Sequence, residues 1–368
     1  MRIATVLAVA LCVAGPASAQ TIRVTIDPTT AADVIREVNR LVGSSLGTAG
    51  DGLGDVIRAI AGHAGELARS GARQTRTFKV EKTDRETRTL ALGPSGTLDL
   101  ETHSGDITVT AGSGRDATIE IIRRARGRTD ADVQMGLEQV KATVDQRPDR
   151  ARVRAVYPDR QGTTYSVDVS YVITAPAGTH VTVETVSGNV TVKGIRGDVT
   201  VDVTSGRIDV AGSRVSQAKT ISGPVTLTDV ETDGSLDVRT VSGTVTLQNV
   251  KARRLNADAV ANGDVTAHNV VCDTATLKTL SGDVDFSGTL SKNGRYELSA
   301  FSGTVRFTPA GSAGFELQAS TFSGDIRSDP SMTFRDVSMA RRSLRGTFGD
   351  GAAFVILKTF SGNVTVGK

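Results

Sequence analysis

Val181-Thr182-Val183-Glu184-Thr185-Val186-Ser187-Gly188-Asn189-Val190-Thr191-Val192 reads as two short strands meeting at a Ser-Gly step. On either side of the step apolar and polar residues alternate, the period of a strand with one buried and one wet face. The same step recurs along the chain, with glycines at Gly105, Gly188, Gly206, Gly223, Gly243, Gly263, Gly282, Gly303, Gly324 and Gly362. From Gly188 to Gly324 successive spacings are 18, 17, 20, 20, 19, 21 and 21 residues. Repetition at a fixed period of about 20 residues predicts a solenoid, because no single unit can bury its apolar face until the next one stacks on it.

Aligning the copies on the glycine sharpens this. The preceding residue is Ser in nine of ten copies, including Ser187, Ser222, Ser242, Ser281, Ser302, Ser323 and Ser361, and Asn262 before Gly263 in the other. Two residues after the glycine every copy carries Val or Ile, from Ile107 to Val364. Upstream, apolar pairs such as Val181/Val183 and Val355/Leu357 stand seven and five residues before it. A further apolar residue lies two before it: Val186, Ile221, Val241, Leu280, Phe301 or Phe360. The step from five to two breaks the alternation and predicts a bulge or corner there. The 38-residue gap from Gly324 to Gly362 reads as two units, one of them degenerate near 331–350. These Ser-Gly residues are expected to be the structural repeat.

Composition agrees. The chain has no Trp, 4% aromatic residues and 39 Gly, so its core must come from Val, Ile, Leu and Ala. A β-sandwich would place turns every 8–12 residues without such positional identity. An outer-membrane barrel wants aromatic girdles and longer strands. A net charge of +3 gives no general attraction to nucleic acid, and no nucleic-acid partner is expected.

Met1-Arg2, an apolar run from Ile3 to Ala14, and Ala17-Ser18-Ala19 have the parts of a secretory signal peptide spanning 1–19. Leu11 is too bulky beside Cys12 for a lipoprotein signal, and the run is too short for a membrane span. No other stretch is long and apolar enough for a transmembrane segment. Export leaves Cys272 as the one cysteine, read as a small buried side chain. Residues 20–73 read as a helical leader, with Val34, Ile35, Val38, Leu41 and Val42 at helical spacing and a second stretch around Val56–Leu67. Residues 74–180 read as a β-rich cap with an inserted helix over Thr129–Val144, whose apolar face is Val133, Leu137, Val140 and Val144. Residues 181–368 are the repeats proper. The fold class is all-β: a β-helix-like solenoid with a short helical leader and one inserted helix.

The Ser104–Val109 copy, the Val167–Gly178 segment ending Ala-Pro-Ala-Gly, and the Val181–Val192 array resemble a family of exported bacterial β-strand-repeat domains of unknown function, the "putative adhesin" family. The resemblance covers about residues 77–368 and implies an exported repeat protein with surface contact as its role. It carries no catalytic residue set.

The residues themselves show no catalytic, cofactor-binding or metal site. His63, His103, His180 and His268 have no metal-ligand spacing, and His103, in the apolar column, reads as packed. Asp264, Asp283 and Asp285 would fall on neighbouring rungs; they are the first carboxylates of a rival reading, a polysaccharide-acting β-helix enzyme. Arg123, Arg124, Arg126 and Arg128, and Arg341, Arg342 and Arg345, form basic runs with acids nearby. The leading expectation is a non-enzymatic envelope or secreted protein whose repetitive surface meets a cell-surface glycan or envelope component. A periplasmic structural or stress-sensing protein is the third reading.

Overall fold

A computed structural model describes residues 78–367 apart from 159–163, 330–333 and 341, together with two short strands near the N-terminus. Those strands, Thr5–Ala10 and Thr21–Ile26, pair antiparallel with each other. The expected helical leader, His63, Arg341 and most of the proposed signal lie outside the described residues. Everything else joins one sheet of 25 strands, mixed but mostly parallel and nearly closed into a barrel-like solenoid shape, with one helix among the described residues.

The repeat sets the pairing. Val181–Thr185 lies parallel on Val199–Val203, and Ser187 stands opposite Ser205. After the step, Val190–Lys193 lies on Ile208–Ala211. The isolated first copy joins the same stack, with Ser104 opposite Ser187 and Ile107 opposite Val190. Register is held because a slip by one residue would turn every valine outward. Nine of the ten β-branched residues two after the glycine are 0% exposed; Ile326, on the last rung, is half-buried. Towards that end Phe286, Phe307 and Phe315 fill the interior, ring centroids 5.7 and 5.6 Å apart in sequence.

Of the predicted bulge or corner upstream of Ser-Gly, register shifts appear at Thr240/Ser242 and Ala259/Asn262, and no corner is turned. The strand runs straight on: Thr185, Thr220, Thr240, Thr279, Thr321 and Thr359, three before the glycine, point inward and are buried. The apolar residues two before it therefore point outward. Five of these hydroxyls find a backbone carbonyl, as Thr240 Oγ1 donates to Gly223 O at 3.0 Å and Thr279 Oγ1 to Gly263 O at 2.8 Å, while Thr185 Oγ1 is buried with no partner.

At the N-terminal end, Val80–Leu90 pairs antiparallel with Ala117–Gly127, which pairs antiparallel with Tyr165–Pro176. The last of these runs parallel to Ile107–Gly112. Helix α1 (Asp130–Gln139) packs Val133 and Leu137 against this cap. Thr129 caps it, accepting from Asp132 N while Asp132 Oδ2 accepts from Thr129 N. It is shorter than the sequence predicts. Lys141–Arg147, including Val144, is a strand antiparallel to Arg150–Val156, because Ala142 and Val144 also satisfy a two-residue period.

The 38-residue gap holds no degenerate coil. Phe334–Ala340 and Ser343–Phe348 form an antiparallel hairpin, and the second strand runs antiparallel to Phe315–Ser320. The chain then returns, and Ala353–Ser361 slots between two earlier strands, parallel to both: Tyr296–Ser302 on one side and Phe315–Ser323 on the other. The rung of Gly362 thus separates the rungs of Gly303 and Gly324, which are consecutive in sequence.

Candidate functional site

The Ser-Gly step is a tight backbone contact. At each ladder glycine φ lies between 128° and 151°. A Cβ at Gly188 would sit 2.0 Å from Gly105 O, and one at Gly243 would sit 2.1 Å from Gly223 O. Eight of the ten glycine N–H groups instead reach the next rung's serine carbonyl, as Gly223 N does to Ser242 O at 2.9 Å, and Gly243 N reaches Asn262 O at 2.9 Å. Six residues later a second turn in the left-handed region is filled by Gly194, Gly212, Asp229, Asn249 and Asn269. Asn249 Nδ2 donates to Asp229 Oδ1 at 2.7 Å, and Asn269 Nδ2 to Asn249 Oδ1 at 2.8 Å. This Gly/Asp/Asn column is visible in the sequence once the copies are aligned, because these residue types accept positive φ.

The carboxylates of the enzymatic reading are taken up by the stack. Asp264 Oδ1 accepts from Asp283 N at 2.8 Å, and Asp283 Oδ1 accepts from Thr304 N at 2.7 Å. Asp106 and Asn189 do the same for Asn189 N and Arg207 N, at 2.8 and 3.1 Å. The residue after the glycine therefore closes a backbone gap on the following rung. Asp285 pairs with Arg306 at 3.0 Å. Nothing brings the three acids together on a common point, and among the described residues no group of His, Cys, Asp and Glu suits a metal.

Three arginines of the first basic run pair with acids on the flanking strands. Arg124 and Arg126 meet Glu81 at 3.6 and 3.1 Å, Arg126 also meets Asp168 at 3.2 Å, and Arg123 bonds Asp84. His180 Nδ1 accepts from Asp198 N at 3.1 Å, and His268 bonds Ser287 at 3.1 Å. His103 lies outside the core, because its column faces outward; its ring lies 5.5 Å from that of Tyr157, and desolvation there lowers its pKa. Cys272 is buried, and burial pushes its thiol up to about 12.

That outward column is what the sequence reading missed. On the last three rungs it consists of Phe301, Phe360 and Phe322, exposed by 53%, 46% and 60%. Their rings stack at 4.9 and 4.6 Å, within 4° of parallel. Arg342 lies over the outer face of Phe322 at 5.6 Å. Leu280 continues the column inward along the rod. Apolar residues are commoner inside than out, so the column was assigned to a corner; the buried threonines beside it were the available signal. At the other end of the same face a shallow groove of about 230 Å³ is lined by Asp99, Glu101, Arg150, Arg152, Thr182 and Glu184. Arg150 pairs with Asp99 at 2.6 Å and Arg152 with Glu101 at 3.1 Å, so its charges answer one another.

Residues 96–367 match the family described as Toastrack DUF4097. The chain belongs to that family. The Toastrack match takes in every ladder glycine from Gly105 to Gly362 and all three exposed phenylalanines, while the antiparallel strand Val80–Leu90 lies before it. Solved structures similar to this Toastrack chain include a "putative adhesin" from Bacteroides fragilis NCTC 9343, at 11% identity over 77% of this chain and 97% of that one, with a TM-score of 0.38. Another "putative adhesin", from Parabacteroides distasonis ATCC 8503, is 11% identical over 77% and 96%, with a TM-score of 0.35. A "putative cell adhesion protein" from Clostridium sporogenes ATCC 15579 is 9% identical over 78% and 99%, with a TM-score of 0.19. Comparison of the Toastrack chain with curated proteins gives no match.

Proposed function

We propose that this Toastrack protein is an exported, non-enzymatic contact or scaffolding protein of the cell envelope. Its β-solenoid coils, about 20 residues each, offer a repetitive surface to a cell-surface glycan or another envelope component. The supporting observation is the column three residues after the glycine. Thr108, Thr191, Asp209, Thr226, Thr246 and Thr266 stand opposite one another on successive rungs. One hydrogen bond per rung is weak, but a polymer engaging several rungs gains by multivalency. The division into a signal at 1–19, a leader at 20–73, a cap at 74–180 and repeats at 181–368 belongs to the same reading.

Protease accessibility on intact producing cells, with a periplasmic protein as control, tests the location. Cleavage with the control untouched supports cell-surface contact, and protection until the envelope is opened supports a periplasmic scaffold. Pull-down with purified envelope polymers tests the contact itself. Retention that weakens when Thr226 and Thr246 become Glu is the expected result; failure to bind any polymer, or binding indifferent to those changes, refutes the glycan reading.

A further inference from the structure

The exposed phenylalanine ridge is separate from the threonine column, and we propose that it docks the end of the rod onto an anionic lipid surface. Three observations carry this. First, the shape is a ridge and not a pocket. The rings are stacked face to face at 4.6–4.9 Å, so they present their edges as one continuous apolar rim. A rim of that kind can dip among acyl chains, which need no complementary cavity, whereas a folded partner would have to be shaped to three rings at rung spacing. Second, the ridge occupies the last three rungs, at the end of the rod, where a flat surface can reach it.

Third, the charges beside it suit anionic headgroups. On the same face the neighbouring column reads Lys278, Ser299, Lys358 and Ser320 over these rungs, with both lysines exposed; the next residue in the column, beside Lys278, is Asp258. Arg342 caps the outer end of the ridge. The nearby acids are already engaged. Asp258 pairs with Arg239 at 3.1 Å, Asp283 accepts from Thr304 N, and Asp325 lies 3.4 Å from Arg327. Glu297 stands one column further out, between Thr276 and Ile356. Apolar side chains flanked by lysines are the combination by which proteins lie on anionic bilayers, the apolar part giving depth and the cations adding attraction to the headgroups.

The chain has no Trp, so Phe360→Trp in the full-length protein creates a single local reporter. Vesicles of phosphatidylglycerol and phosphatidylcholine, with and without brominated acyl chains, supply the surface. A blue shift on phosphatidylglycerol vesicles, quenched by the brominated lipid and much weaker on phosphatidylcholine alone, is the expected result. Adding Lys278→Glu and Lys358→Glu, both exposed and remote from the core, is expected to lower the apparent affinity about tenfold or more. A local reporter responds to the ridge whatever the N-terminal leader does. The proposal is overturned if emission does not move at saturating lipid, or if it moves without quenching. It is equally overturned if charge reversal leaves the affinity unchanged, or if the shift tracks protein concentration without lipid, which would assign the ridge to a second copy of the chain.

Discussion

Replacing Gly243 by alanine tests whether the Ser-Gly ladder is a steric requirement. The new Cβ would lie 2.1 Å from Gly223 O and 2.6 Å from its carbonyl carbon, both backbone atoms that no rotamer change can move. Relief demands that two rungs part by about 1.3 Å, since ordinary van der Waals contact begins near 3.4 Å. That movement stretches Gly223 N to Ser242 O and Val225 N to Thr244 O, both 2.9 Å now. The backbone adds its own strain, because φ of 150° at this residue is a conformation L side chains rarely hold. Strain of about 1–3 kcal/mol and overpacking of about 1–3 kcal/mol together give a loss of roughly 2–6 kcal/mol. In a stack whose stability is a sum of neighbouring interfaces, that loss falls on one interface and splits the rod there. Gly234→Ala is the control, because nothing lies within 4 Å of its Cβ, and it is expected to stay within about 0.5 kcal/mol of the parent. Urea denaturation followed by far-ultraviolet circular dichroism measures both. A Gly243→Ala protein within about 1 kcal/mol of its parent would refute the steric account.

Thr240→Val keeps the shape and removes the hydroxyl bound to Gly223 O, so a loss of about 1 kcal/mol is expected by the same denaturation assay. Val203 fills the equivalent inward position on another rung, which shows that the volume fits. Cys272, its thiol held up near 12 by burial, should resist thiol reagents at pH 8 in the folded protein and react fully in denaturant; fast labelling of native protein would contradict its placement. Burial also raises the Asp202 carboxyl above its ordinary value. A raised acid favours the fold while protonated and loses that contribution as pH rises through its folded pKa. Asp202→Asn should therefore stabilise at pH 7, with the gain shrinking as pH falls towards the ordinary carboxylate value; paired denaturation curves at several pH values check it.

The stacked architecture was legible because β-branched residues recur at one position in all ten copies, and only a parallel stack uses such identity. What escaped followed from reading hydropathy alone. Thr240 and Thr279 count as polar, yet a hydroxyl that reaches a backbone carbonyl can be buried without penalty. Misplacing that column turned Phe301 and Phe360 from surface residues into corner residues and hid the ridge. Val144 was drawn into the helix because positions four apart fit a helical face, although Ala142 and Val144 fit a strand equally well. The hairpin at 334–348 left a spacing of two units by coincidence of length, and no local pattern separates a missing rung from an excursion. Among the candidate groups, the acids after the glycines were correctly located on neighbouring rungs. Their purpose, closing backbone N–H groups, needed coordinates.

The late return of Ala353–Ser361 sets an order of events during synthesis. A rod whose rungs follow the chain can close progressively from its first coil, each new segment adding to a finished edge. Here Tyr296–Ser302 and Phe315–Ser323 cannot both find their final neighbour until the strand between them has been made. The end of the rod, phenylalanine ridge included, is therefore completed only after residues 353–361 have been made. A chain broken off before residue 353 would keep most of its repeats and still lack the piece that joins the terminal rung to the rest.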